Sequence, residues 1–251
     1  MLATEQSVSE KAWTILEAGL HDEKSDKRAQ AVFALGLVPR DNKAIETAEH
    51  ALNDPDPNVR RAAIDALGEM NSKRSLPKIK ALISNSDGRT VLAIAAVLTK
   101  FKDPEGYEIY YEVLTGKRKD GGSILAGIKD RKALEKMGVE TAIGFAPFGG
   151  VATGAYGYLK QNSSSHANTD VTAASALAGD RDPVAEKALV DTSFDGKEAV
   201  QIAALRALAT RGDPSVVKDI EPAMYSDKPS ISYTAAATVV HLLDIRPKQR
   251  A

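Results

Sequence analysis

Apolar residues recur at helical spacing through most of this chain. In DPDPNVRRAAIDALGEM, Asp54 to Met70, the residues Val59, Ala62, Ala63, Ala66 and Leu67 fall on one stripe of a 3.6-residue helix. Asp56 stands where a side-chain oxygen can cap the open N–H groups, Pro57 suits the first turn, and Gly68 lies near the expected helix end. A second helix is predicted over residues 75–83, with Leu76, Ile79, Leu82 and Ile83 on its inner side. The unit is helix, turn, helix.

That unit repeats. DGKEAVQIAALRALATR, Asp195 to Arg211, is a near copy, in which Val200, Ala203, Ala204, Ala207 and Leu208 match the first stripe. Weaker copies begin at Lys27, Thr90, Thr169 and Ser230. Taken as register marks, Leu35, Leu67, Leu98, Leu177, Leu208 and Val239 lie 32, 31, 79, 31 and 31 residues apart. The one long interval holds about 48 residues beyond a normal period, between roughly Thr115 and Asn168. Two short helices cannot bury their own apolar stripe, so a period of this length demands stacking of one unit on the next.

DPDPNVRRAAIDALGEM resembles the short bacterial HEAT-like repeat, a kind also seen in phycobilisome lyases. The resemblance spans roughly residues 13–114 and 168–244. It implies an all-α, right-handed α-solenoid of about six HEAT-like helix pairs with a glycine-rich helical insertion. Residues 1–114 then hold repeats 1–3, residues 115–167 the insertion, and residues 168–251 repeats 4–6. It also implies that the second helix of each pair lines a concave face, and that the protein is a scaffold engaging a protein partner there. On the second helix of the third pair, Tyr107, Tyr110 and Val113 are expected in the core, with Tyr107 and Tyr110 replacing Leu76 and Ile79. Tyr111, Glu108 and Glu112 are left as contact candidates. Glu46, His50 and Lys78 are the corresponding polar positions on neighbouring helices, a surface of mixed sign.

Composition narrows the chemistry. Thirty-three basic and 34 acidic residues give no global field for nucleic acid, and no cysteine is present to serve as nucleophile, disulfide or thiolate ligand. Deoxyhypusine hydroxylase, similar in repeat pattern, needs paired His-Glu metal ligands. The nearest segments here, His21-Asp22-Glu23 and Glu49-His50, are expected to be structural or surface residues. Alkylpurine DNA glycosylases of similar size use a basic channel with aromatic residues, whereas the single tryptophan, Trp13, reads as a cap on the first repeat. GKRKDGGS, Gly116 to Ser123, lacks the lysine of a phosphate loop, and SSSH, Ser163 to His166, reads as linker. No enzyme, metal or cofactor is expected. A lyase-like activity on the solenoid is the enzymatic alternative that the resemblance implies.

The insertion differs from everything around it. Residues 123–137 predict a helix, and from Lys117 to Lys136 seven basic residues face three acidic ones. AIGFAPFGGVATGAYGYL, Ala142 to Leu159, carries no charge and five glycines. Its few strongly apolar residues supply too little to cross a bilayer, at roughly −0.3 to −0.6 kcal/mol each. Residues 117–159 therefore suggest either contact with an anionic membrane surface, the basis of a membrane-associated adaptor reading, or docking on the solenoid. Docking is favoured, with Phe145, Phe148 and Tyr156 as contact residues and the phenylalanines filling the seam between the two halves. The start, MLATEQSVSEKAW, has no basic n-region, and Leu2-Ala3 is compatible with a trimmed signal end, so compartment stays open.

Overall fold

The computed structural model describes residues 2–115 and 165–245. Within them the chain is helical, and no strand occurs among the described residues. The helices are α1 (Leu2–Leu20), α2 (Ser25–Ala34), α3 (Asn42–Ala51), α4 (Pro57–Glu69), α5 (Leu76–Ala81), α6 (Gly88–Lys100) and α7 (Pro104–Thr115). After residues 116–164 follow α8 (Ser165–Leu177), α9 (Pro183–Thr192), α10 (Glu198–Arg211), α11 (Val217–Ile220) and α12 (Pro229–Asp244). Caps recur at the first helix of a pair and elsewhere: the Asp56 carboxylate accepts from the Asn58 N–H at 2.7 Å, and Asp87 accepts from Arg89 and Thr90. Gly68 lies near the end of α4, as expected, at its last position but one, and faces Val97.

Helix pairs α2/α3, α4/α5, α6/α7, α8/α9 and α10/α11 follow the predicted repeat. The sixth first helix, α12, has no second helix after it within the described residues. Its partner is α1, from the other end of the chain. Helix α1 packs against both α12 and α2, as α3 packs against α2 and α4 within the second layer. The first helices thus stack in the order α8, α10, α12, α2, α4, α6, each against the next. Repeats 4–6 sit on the free side of repeat 1, not on repeat 3. The seam between the halves is built from α12, α1 and α2, which differs from the seam expected to receive Phe145 and Phe148. Those two residues, Tyr156 and the basic run from Lys117 to Lys136 lie outside the described residues.

The row of first helices curls. Arg206 of α10 reaches Glu69 of α4 at 3.6 Å, and its guanidinium lies 5.0 Å from the Phe33 ring centroid of α2. Helices α12 and α2 stand between α10 and α4 in the row, so these contacts require the first helices to face inward. The second helices occupy the convex side, the reverse of the arrangement implied by the family resemblance. Side-chain size explains the direction. Ala31, Ala34, Ala62, Ala63, Ala66, Ala204 and Ala235 are buried on the first helices and let their axes approach, whereas the second helices are tied to their neighbours by ion pairs such as Lys43 to Glu17 and Lys80 to Asp103. As a consequence α10 is buried all round from Ala199 to Ala209, and α12 from Ile231 to Val240.

Two substitutions test this packing. Ala63 and Ala204 are fully buried, so Ala63→Leu and Ala204→Leu should each cost about 1–3 kcal/mol by overpacking, read as a lower melting temperature. At the seam, a Cβ on Gly19 would lie 2.5 Å from the Tyr233 ring and 2.9 Å from the Ala31 Cβ. Gly19→Ala should therefore destabilise by a similar amount, about 1–3 kcal/mol, and an unchanged melting temperature would place α1 elsewhere.

Candidate functional site

The six contact residues chosen from sequence lie on second helices, hence on the convex side. Glu46, His50, Lys78 and Glu108 are exposed, Tyr111 is 57% exposed, and Glu112 is half-buried. The structure does not gather them into one site. A ladder of ion pairs runs along this layer: Lys43 to Glu17 at 2.6 Å, Arg74 to Glu46 at 3.9 Å, Lys78 to Glu49, and Lys80 to Asp103 and Glu105 at 2.6 and 3.0 Å. Burial would raise the Glu49 carboxyl, but hydrogen bonds from Lys78 and Ser75 prevail and hold it below its ordinary value. Glu46 and Lys78 are thus engaged with neighbours, while Trp13 packs on the core under the Lys43 ammonium, 4.2 Å from the ring centroid.

Helix α7 is different. Tyr107, expected in the core, is 61% exposed, while Ile109 is buried. Gly106 is the reason: a Cβ there would lie 2.6 Å from Thr99 Oγ1 and 2.7 Å from the Thr99 backbone nitrogen. This close approach to α6 fixes the rotation of α7, so that Gly106, Ile109, Tyr110 and Val113 face inward at spacings of three and four. Tyr107 and Tyr111 then share the outer face, with Glu108 and Glu112 beside them, and the four line a shallow open groove. Burial pushes the inward Tyr110 phenol up to about 12.

A second cluster lies inside the curl. Two residues before the register leucine stand Phe33, Asp65 and Arg206, and two after it stand Glu69 and Lys100. Asp65 and Glu69 are one turn apart on α4, partly reachable by solvent yet crowded by protein. Burial, with the neighbouring Glu69 carboxylate, pushes Asp65 up to about 7. Glu69 is raised by burial against the pull of Arg206 and Lys100, and Arg206 is lowered by burial against the pull of Glu69. Both partners therefore lose more hydration than their attraction returns, and the pair is poor evidence for stability. Chemically, a carboxyl near 7 can give or take a proton at neutral pH. These positions were missed because alanine and leucine define the repeat. The charges appear only when the same register place is compared across all copies.

Among the described residues, no three His, Asp or Glu side chains stand close enough to hold a metal ion, and no helix is long and apolar enough to cross a membrane.

Asp65 has a calculable pH signature. The folded protein keeps its proton up to about 7, whereas the unfolded chain loses it near 3.8, so stability falls as pH rises through that window and levels off above it. Asp65→Asn removes the cost. The gap in unfolding free energy between variant and parent should widen from pH 4 to 7 and plateau at roughly 2–4 kcal/mol, measured by denaturant melts. Parallel pH profiles would contradict it.

The family of HEAT repeats matches residues 14–108, and this stretch consists of HEAT repeats. Among solved structures, human deoxyhypusine hydroxylase in complex with glycerol is similar at a TM-score of 0.34 and 15% identity, covering 95% of this chain and 89% of that one. No curated protein matches the chain.

Proposed function

We propose, from the HEAT repeats of residues 14–108, that this chain is a non-enzymatic scaffold that binds a protein partner on its convex side, at the outer face of α7. The observation that carries the reading is the exposure of two tyrosines one turn apart, Tyr107 and Tyr111, beside Glu108 and Glu112. Tyrosine buries a large area with little loss of rotamer freedom and is favoured at interface hot spots. Helix α7 carries Glu105, Glu108 and Glu112 and no basic residue. The chemistry that fits is a partner segment with lysine or arginine beside apolar side chains, the cations lying over the tyrosine rings and against the carboxylates. Glu46, His50 and Lys78 lie farther along the layer, where a larger partner would meet them as rim.

Affinity capture from the source cell, followed by mass spectrometry, tests this. Tyr111→Ala, Glu112→Lys should lose a partner that the parent retains. Val184→Ala, at an exposed position on α9, should keep it. A partner held equally by the α7 variant would exclude this surface.

A further inference from the structure

Fourteen residues before each register mark, the chain approaches the start of a first helix. That place holds Phe194, Tyr225 and His21 ahead of α10, α12 and α2, but Asn53 and Ser84 ahead of α4 and α6. Phe194 is 46% and Tyr225 60% exposed, and His21 is exposed with its Nδ1 2.9 Å from the Glu17 carbonyl. The three rings belong to neighbouring copies, although His21 and Tyr225 are far apart in sequence. Helix α10 packs on α12 and α12 on α2, and their starts lie side by side. Ser230 Oγ donates to the Glu198 carboxylate, and a Cβ on Gly19, two residues before His21, would meet the Tyr233 ring. Only the seam between the halves brings the third ring into line with the other two.

The surroundings of these rings are acidic. Within five residues of them stand nine carboxylates and three lysines, in a chain of net charge −1. Glu17, Asp22, Asp191 and Glu221 have lysine partners, whereas Glu23, Asp26, Asp195 and Asp227 make no ion pair among the described residues. The lysines, Lys24, Lys197 and Lys228, stand three residues after the rings, each at the start of its helix.

We propose that this row of rings is a second protein-binding surface, and that its occupant is a proline-rich segment carrying arginine or lysine, bound in the polyproline II conformation. Neighbouring helix axes lie about 8–10 Å apart, which sets the interval between rings of successive copies. A polyproline II chain rises about 3.1 Å per residue with about three residues per turn, so one edge returns after about 9 Å. A strand returns to one face after about 7 Å and falls out of step with the rings. Prolines pack against aromatic side chains, and a segment that is already stiff loses little entropy on docking. The cations between them meet the unpaired carboxylates of Glu23, Asp26, Asp195 and Asp227. The surface belongs to the copies that flank the seam, away from α7, so it stands or falls independently of the partner surface there.

A fluorescein-labelled peptide that repeats Pro-Pro-Arg four times is titrated with the full-length protein, and anisotropy gives the Kd. Binding is expected, weakened about tenfold or more in Phe194→Ala, Tyr225→Ala and also in Asp195→Lys, Asp227→Lys. These four positions are exposed, so both variants should melt as the parent does. Tyr111→Ala, Glu112→Lys should bind the peptide like the parent. A peptide repeating Gly-Ser-Arg has the same charge on a flexible chain and should bind about tenfold more weakly or worse. One repeating Pro-Pro-Glu should not bind. The proposal is overturned if the Pro-Pro-Arg peptide does not bind, if either rim variant binds it like the parent, or if the α7 variant loses it. Equal binding of the Gly-Ser-Arg peptide also overturns it, since charge alone would then account for the contact.

Discussion

Everything in this molecule hangs on the packing of its last described helix against its first two. Among the described residues α12 has no second helix of its own, and a lone amphipathic or fully apolar helix cannot stay folded without a surface to bury against. The surface comes from α1 and α2. Tyr233 of α12 fills the space that Gly19 of α1 leaves open, and Ala235, Ala236 and Ala237 are buried at the same level. This joint turns two runs of three repeats into one row, with α1 and α12 at its middle and α7 and α8 toward its ends.

The joint also decides which surface is inside. Small side chains on the first helices bring their axes together, so the row bends toward them, and the bend carries α4 over to α10. A charged cluster is thereby enclosed, and Asp65 is crowded enough to hold its proton to about 7. On the opposite side the second helices fan out, joined by ion pairs that solvent largely screens and that contribute little individually. Their exposed aromatic groups at α7, Tyr107 and Tyr111, lie outside the core.

Much of the fold is legible in the sequence. The 31-residue period, the Asp56 cap, Pro57 and the alanine stripes identify the helix pairs and their stacking, because local propensity and packing there agree. The spatial order of the repeats is not legible, since a period says which units are alike and nothing about which free end meets which. Nor is the rotation of α7, which depends on one glycine touching another helix's backbone. Tyr107 and Tyr110 look equivalent by alignment with Leu76 and Ile79, but Gly106 turns one out and the other in. The inner charges hide in plain register: Asp65 and Arg206 occupy a place that is Phe33 or Ala96 in other copies.

Hydrogen exchange on a chain lacking residues 1–20 tests the central joint most directly. If α1 is the missing half of the last repeat, amides across α12 lose protection together although residues 229–244 are untouched and far away in sequence. If the repeats instead stack in chain order, protection is lost in α2 and its neighbours while α12 keeps its own, and that result would contradict the account.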